Sequence, residues 1–202
     1  APRQRIGSHT FSHYYCLEDG QTAVAFAADI DAAKTIALRR GIRVESIVFP
    51  RNQYSKAHLQ LCEQAGFKVY RGNPSSWAYQ PVQDKRQSLF RRALRLADAY
   101  SGFLGAHVFE PEAGALIDVT ASRFLRPCAG KLAWFHPLHI AEVKRGMTAA
   151  AKADKIFHLW WHPHNFGRNI DNNISGLSKI IDHFKNLRCE YGMESLAMED
   201  IV

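Results

Sequence analysis

Short apolar runs of strand length alternate with amphipathic helical segments along this chain, and this alternation constrains its fold more than any other feature. Residues 44–49 are rich in β-branched side chains and are closed by Pro50, and residues 67–70 form a second such run. Strands that are apolar throughout are typical of parallel sheets covered by helices. The pattern therefore predicts an α/β protein, either an α/β barrel or an open doubly wound sheet.

The remaining predicted elements follow the same alternation. Helices are predicted over residues 23–40, 56–65, 86–100, 140–153 and 174–188, and further strands over 116–120 and 156–161. The first helix is predicted to end around Arg39, Arg40 and Gly41, since basic residues followed by glycine are typical of a helix C-terminus. Residues 72–83 are rich in turn-forming residues and are predicted to be a long loop. No linker or internal repeat divides the chain, so we expect one domain over residues 1–202.

The composition limits the classes of protein to which the chain can belong. Its 202 residues are 47% hydrophobic, which is enough to bury one sizeable core. The net charge of +7 would suit a polyanion, but the basic residues are scattered over predicted helices, so nucleic acid is not an expected partner. No run reaches the roughly 18 apolar residues of a membrane helix, so no membrane span is expected. Four widely spaced cysteines form no paired motif, which favours reduced thiols: Cys16, Cys62, Cys128 and Cys189.

Two histidines near the start of the chain form the first candidate site. His9 and His13 lie four residues apart in the heptapeptide GSHTFSH, residues 7–13. Two imidazoles at this spacing can meet one metal ion where the chain turns, and neutral imidazole is a good ligand for zinc. A zinc protease would need glutamate directly after the first histidine, and Thr10 occupies that position. The residues alone leave open a metal site or two ordinary surface or core histidines.

The heptapeptide resembles the metal-binding motif of the polysaccharide deacetylases, the carbohydrate esterases with a NodB homology domain. In that family a glycine, a histidine, a serine or threonine, two variable residues and a second histidine recur. The resemblance implies that His9 and His13 bind a divalent metal, zinc foremost, with cobalt or nickel as alternatives. It also implies a partial or distorted (β/α) barrel of the NodB type, with the first strand missing, and a substrate that is an acetylated sugar or polysaccharide.

A second resemblance to this family lies where residues 156–161, a predicted strand, lead into His162. The family's last motif is a strand ending in leucine, two residues and histidine, here Leu159 to His162. It implies that His162 is the general acid that protonates the departing sugar, with Leu159 and a tryptophan as an apolar wall for the acetyl methyl. On the residues alone, His162 and His164 could instead form a metal pair on one strand face, or His162 could simply end the strand.

Other residues at predicted strand ends are expected to line the substrate groove, because barrel active sites gather at the carboxyl ends of the strands. Arg51 follows such an end where the family has an arginine–proline–aromatic motif, although Pro50 precedes the arginine here. Arg51 would either take part in the site by orienting a carboxylate or form a structural salt bridge. The other groove residues expected are Tyr54, Arg71, Trp77, Arg126, Leu159, Trp161 and His164.

The family's first motif, Thr-Phe-Asp-Asp-Gly, supplies the catalytic base and a third metal ligand and would precede Gly7. Only six residues do so, and residues 17–20, Leu-Glu-Asp-Gly, follow the histidines and receive no role. Either the natural protein continues upstream, which we favour, or the chain is a degenerate member without full catalysis. The first interpretation predicts metal-assisted removal of N- or O-acetyl groups from a bacterial glycan. The alternative is a non-catalytic carbohydrate-binding protein of the same fold.

The cellular compartment is less constrained by the sequence. The resemblance suggests a bacterial cytoplasm or cell envelope, and the lack of paired cysteines favours the cytoplasm. The oligomeric state is not indicated by any feature of the sequence.

Overall fold

The computed structural model describes residues 4–201 of the chain, which is organised as two compact units. Unit 1 comprises Ala1–Ser88, Pro111–Thr120 and Leu196–Val202, and unit 2 comprises Leu89–Glu110 and Ala121–Ser195. Both units combine helices with short parallel strands, which confirms the predicted α/β class. The strands form no closed barrel in the described part of the chain. Among residues 4–201, no helix is long and apolar enough to cross a membrane.

Unit 1 is built on a parallel sheet. Its strands, in spatial order, are β1 (Ser46–Ile47), β2 (Val69–Tyr70) and β3 (Ile117–Asp118). Ser8 extends the sheet beyond β1 through a parallel bridge to Ile47. Ile47 pairs with Tyr70, and Tyr70 pairs with Asp118. The strands therefore end level with one another, and the residues that follow them leave from one edge of the sheet.

Two helices belong to unit 1, α1 (Ala23–Arg39) and α2 (Lys56–Gln64). α1 begins where predicted, because the Thr22 hydroxyl caps it by accepting a hydrogen bond of 3.1 Å from the Ala25 N–H. The buried face of α1 contributes Phe26 and Ile30 to the apolar core. Their buried partners in this core include Ile47, Phe49, Cys62 and Phe67.

Unit 2 contains two parallel strands, β4 (Arg123–Phe124) and β5 (Leu159–Trp160). Three helices accompany them: α3 (Leu89–Ser101), α4 (His136–Ala153) and α5 (Ile170–Tyr191). Consecutive turns of α4, together with Ile180 and Leu187 of α5, supply most of the buried apolar core. The buried core residues are Leu125, Ile140, Val143, Met147, Phe166, Ile180 and Leu187.

Three helices of unit 2 begin at other residues than predicted. α4 begins at His136 rather than residue 140, because Pro137 lies in its first turn, where the fixed φ of proline suits a helix. α3 begins at Leu89 rather than residue 86, because Asp84–Arg86 forms a separate 3₁₀ turn. α5 begins at Ile170 rather than residue 174. The apolar periodicity marks the packed face of a helix, whereas these first turns are mostly exposed.

Candidate functional site

The carboxyl edge of the sheet in unit 1 carries most of the candidate residues of that unit. His9 follows the bridge at Ser8, Val48 follows β1, and Arg71 follows β2. Ligands of open parallel sheets bind outside the carboxyl ends of the strands. The sheet therefore places these segments at the edge where a binding site is expected.

The heptapeptide folds into a tight turn that brings the two histidines together. Thr10 and His13 adopt left-handed backbone conformations, with φ of 63° and 59°. The centroids of the His9 and His13 rings lie 4.8 Å apart, with an angle of 66° between the ring planes. Left-handed conformations are uncommon for residues other than glycine and concentrate at functional sites. The turn thus has the convergence that two ligands of one ion require.

A carboxylate of α1 holds this turn from beneath. Asp29 accepts hydrogen bonds of 2.9 Å from both the Phe11 N–H and the Ser12 N–H. Its side chain lies on the same helical face as Phe26 and Ile30, and the residue is only 9% exposed. Asp29 was not predicted from the sequence as part of the site. A carboxylate on the apolar face of a helix nevertheless indicates that it has a buried hydrogen-bond partner.

Side chains within the turn add two further hydrogen bonds. The Ser8 hydroxyl oxygen accepts from the Thr10 N–H at 3.1 Å, and the Thr10 hydroxyl oxygen accepts from the Tyr14 N–H at 2.8 Å. Together with Asp29, these contacts pair four backbone N–H groups of a segment that belongs to no helix or strand. The backbone strain at Thr10 and His13 is therefore offset by local hydrogen bonding.

The His9 ring is oriented by the chain segment after β1. Its Nδ1 lies 2.7 Å from the Val48 carbonyl oxygen. A carbonyl oxygen can only accept, so Nδ1 carries the proton and Nε2 bears the lone pair of a neutral imidazole. Metal-binding histidines commonly donate through their other ring nitrogen in this way. No group of three or more His, Cys, Asp or Glu side chains is placed to hold a metal among residues 4–201.

Arg51 is linked to the histidine turn through an aromatic ring. Its guanidinium lies 4.3 Å from the centroid of the Tyr15 ring, whose centroid is 5.1 Å from that of His13. Arg51 Nη1 also forms an ion pair of 2.8 Å with Asp84 Oδ2, and both side chains are largely exposed. Arg51 thus forms a salt bridge in this structure, and its part in the site stays a prediction.

Two other expected groove residues are held by bonds within the protein. Arg71 is buried and donates through Nη2 to Asn52 Oδ1 at 2.7 Å, and burial lowers the pKa of its guanidinium to about 10. The Tyr54 hydroxyl oxygen accepts from the Asn73 N–H at 3.2 Å, and burial raises the pKa of this hydroxyl to about 12. At neutral pH Arg71 is therefore a cation and Tyr54 a neutral phenol. Trp77 lies on the following loop and is 54% exposed.

The edge also carries a carboxyl group that the sequence analysis did not single out. Asp118 ends β3, and its Oδ2 accepts from the Tyr70 hydroxyl at 3.0 Å while its Oδ1 accepts from the Thr120 hydroxyl at 3.1 Å. Burial, partly opposed by these hydrogen bonds, raises the pKa of this carboxyl. The sequence feature that could have identified Asp118 is its position as a single acidic residue inside an apolar predicted strand, residues 116–120.

In unit 2, His162 follows β5 and lies among aromatic rings. Ring centroids of Phe124 and Trp160 are 5.7 Å and 5.5 Å from that of His162. The ring of His164 stacks beside it at 5.3 Å, with an interplanar angle of 24°. Both histidines are exposed, and His162 directly precedes a 3₁₀ turn, Pro163–Arg168. Neither histidine therefore lies on a regular strand, and the stacking arises from the turn.

The remaining groove residues expected in unit 2 have partners of their own. Trp161 stacks on Phe166, with ring centroids 6.3 Å apart. Leu159 packs against the apolar core of unit 2. Arg126 donates its backbone N–H to His139 Nε2 at 3.0 Å.

The comparisons with known proteins identify no relative of this chain. Searches of protein-family descriptions, of curated proteins and of solved structures find no match.

Proposed function

We propose that this chain is part of a metal-dependent hydrolase that removes acetyl groups from sugars, on a barrel of the NodB deacetylase type. The observation that carries the proposal is the turn that holds His9 and His13 with their rings 4.8 Å apart. A turn that combines left-handed residues, a buried Asp29 beneath it and a histidine oriented by a carbonyl is costly to build for two surface histidines alone.

The two imidazoles fit half of the ligand set of a tetrahedral zinc ion. His9 would bind through Nε2, and His13 would supply a second nitrogen. The remaining ligands would be water and a carboxylate from outside the described residues, because none of the described acidic groups joins the pair. When bound, the metal would supply polarisation of the acetyl carbonyl and of a water molecule.

The proposed role of His162 is to donate a proton to the sugar nitrogen or oxygen as the acetyl group departs. An imidazole suits this step because it exchanges a proton near neutral pH. The neighbouring rings of Phe124 and Trp160 support the role, since they orient the imidazole and shield one side of it from water. Trp77 and Trp161 are proposed to stack on sugar rings.

The lack of a third ligand among the described residues favours a second candidate, a carbohydrate-binding protein without hydrolytic activity. Such a protein would need neither the metal nor the proton donor. It would retain the exposed aromatic residues, because stacking on a sugar ring requires only an accessible face.

Zinc titration and acetate release together test both candidates. The natural full-length protein would be titrated with zinc while histidine ring signals are followed by NMR, and acetate release would be measured from N-acetylglucosamine oligosaccharides. We expect His9→Ala and His13→Ala each to weaken zinc binding at least tenfold, and His162→Ala to abolish acetate release while zinc binding is unchanged. His183→Gln is the control, because the ring of this histidine bonds to Thr148 and Lys144 of α4 and lies outside both histidine pairs.

The outcomes separate the candidates. Equal zinc affinity of the unaltered protein and of its His9→Ala variant would rule out the proposed metal site. Glycan binding without zinc binding or acetate release would support the second candidate.

A further inference from the structure

Asn173 connects the two chain segments that leave the strands of unit 2. It lies in the first turns of α5 and is 2% exposed. Its Oδ1 accepts from the Cys128 N–H at 2.6 Å, four residues beyond β4. Its Nδ2 donates to the Phe166 carbonyl oxygen at 3.3 Å, in the 3₁₀ turn that follows His162. One buried amide therefore bonds to the loop after β4 and to the loop after β5.

The rings beside His162 lie on β4, on β5 and in the 3₁₀ turn. Phe166 stacks on Trp161, the residue next to His162, and the Asn165 N–H donates to the His162 carbonyl oxygen at 3.0 Å. The segment of Cys128 begins at β4, where Phe124 contributes a ring 5.7 Å from that of His162. The side chain of Asn173 thus bonds to the turn that follows His162 and to the segment that follows Phe124.

A carboxamide is the side chain that this position requires. One atom must accept from a backbone N–H while another donates to a backbone carbonyl, and asparagine does both within one short side chain. Asn169 adds to the link, because its Nδ2 lies 3.6 Å from Cys128 Sγ. A buried polar group with both partners satisfied holds its neighbours in one arrangement.

We infer that Asn173 is a positioning residue for His162, an inference that rests on the proposed function for its catalytic consequence. By holding the 3₁₀ turn and the loop after β4 on one side chain, Asn173 keeps the imidazole in one orientation toward the departing group of the sugar. Loss of the amide leaves His162 present but misdirected. The expected kinetic result is a lower kcat with little change in KM, because positioning acts on proton transfer rather than on sugar binding.

The experiment uses Asn173→Asp and Asn173→Leu in the full-length protein. Aspartate retains the acceptor for the Cys128 N–H and loses the donor to Phe166, whereas leucine loses both. For Asn173→Asp we expect the His162 ring signals to shift in NMR spectra and exchange of the Asn165 amide hydrogen to accelerate at least tenfold. We expect exchange of the Cys128 amide to accelerate only in Asn173→Leu. Acetate release should show kcat lowered about tenfold.

Asn186→Asp and Asn186→Leu are the matched controls, because Asn186 lies on the same helix and is exposed. They should leave the His162 signals and the Asn165 exchange unchanged. If Asn173→Leu does not fold, the Asn173→Asp variant by itself tests the positioning role. Unchanged His162 signals and unchanged Asn165 exchange in a folded Asn173→Asp variant would overturn the inference. These NMR measurements do not depend on acetate release, so they test the positioning even if the proposed deacetylation fails.

Discussion

At the scale of single residues, Asp118 and Gly72 show how tightly the carboxyl edge of the sheet in unit 1 is packed. The Asp118 carboxylate accepts from the Tyr70 and Thr120 hydroxyls and from the Gly72 N–H. A methyl group added at Gly72 would overlap this carboxylate. The need for glycine is steric, because only the absence of Cβ allows the carboxylate to approach the backbone so closely.

Gly72→Ala is therefore expected to destabilise the protein by about 1–3 kcal/mol, since the carboxylate must move away from its donors. The free energy of unfolding in urea would measure the change. Gly114→Ala is the control, because the nearest atom to its added methyl carbon is 3.9 Å away. Equal stability of the two variants would show that the carboxylate can move without cost.

His139 illustrates a residue whose role is structural. The ring is fully buried, lies 2.7 Å from the Ala99 carbonyl oxygen through Nδ1, and accepts from the Arg126 N–H through Nε2. Burial lowers the pKa of this imidazole to about 4. Both bonds require a neutral ring with the proton on Nδ1.

The pKa of His139 predicts how stability depends on pH. As the pH falls from about 6.5 to about 4, the unfolded chain binds a proton at this position and the folded chain does not. The contribution of His139 to the free energy of unfolding therefore decreases by about 3 kcal/mol across this window and is constant above and below it. Urea unfolding at a series of pH values would measure it. A His139→Gln variant with the same pH slope would contradict the assignment.

At the scale of elements, α1 and the histidine turn form one assembly. Asp29 links the helix to the turn through its carboxylate, which accepts hydrogen bonds from two backbone N–H groups of the turn. Hydrogen bonds to a charged group are stronger than those between neutral groups. The order of the turn therefore depends on a helix that begins ten residues after the turn ends at His13.

Asp29→Asn is expected to accelerate exchange of the Phe11 and Ser12 amide hydrogens and to weaken zinc binding about 10- to 100-fold, the usual effect of losing a group that orients a ligand. Hydrogen exchange followed by NMR and zinc titration would measure the two effects. Asp31→Asn is the matched control on the same helix, because Asp31 is exposed. Unaltered zinc affinity in a variant with accelerated exchange would separate the turn from the metal site.

The elements also show how far periodicity could predict the structure. All five predicted helices exist. Four of them have an apolar face that packs in a core, whereas Leu89 and Phe90 of α3 are exposed. The predicted strands are shorter than expected: residues 44–49 and 156–161 each contain only two residues of regular strand, Ser46–Ile47 and Leu159–Trp160. An apolar run shows that a segment is buried, whereas regular pairing also depends on the length of the neighbouring strand.

At the scale of the whole molecule, a buried ionic network holds unit 2 together. Arg123 of β4 donates to Asp98 Oδ2 at 2.7 Å and to Glu142 Oε1 at 2.9 Å, and all three side chains are nearly inaccessible. Asp98 lies on α3 and Glu142 on α4. The guanidinium therefore ties one strand to two helices.

Arg123→Met is expected to destabilise unit 2 by as much as about 3–5 kcal/mol, because Asp98 and Glu142 would remain buried without the guanidinium that joins them. His107 beside Asp98 and Arg145 beside Glu142 would offset part of this loss. The loss should be nearly independent of salt, since buried pairs are poorly screened. Urea unfolding at low and high sodium chloride would measure both. Lys185→Met is the control: it removes an exposed ion pair with Asp182 and should cost less than about 1 kcal/mol. Similar losses in the two variants would show that the network contributes no more than a surface pair.

The α/β class, the existence of the five helices and the spacing of His9 and His13 could be predicted from the sequence, because these depend on local periodicity and on neighbouring residues. The folded structure was needed to find that Asp29 bonds to the histidine turn, 18 residues away at Phe11, and that Asn173 bonds to Cys128, 45 residues away. A hydrogen bond between distant residues is decided by how helices pack on a sheet. No pattern within either segment specifies that packing, so these supporting residues had to be found in the folded chain.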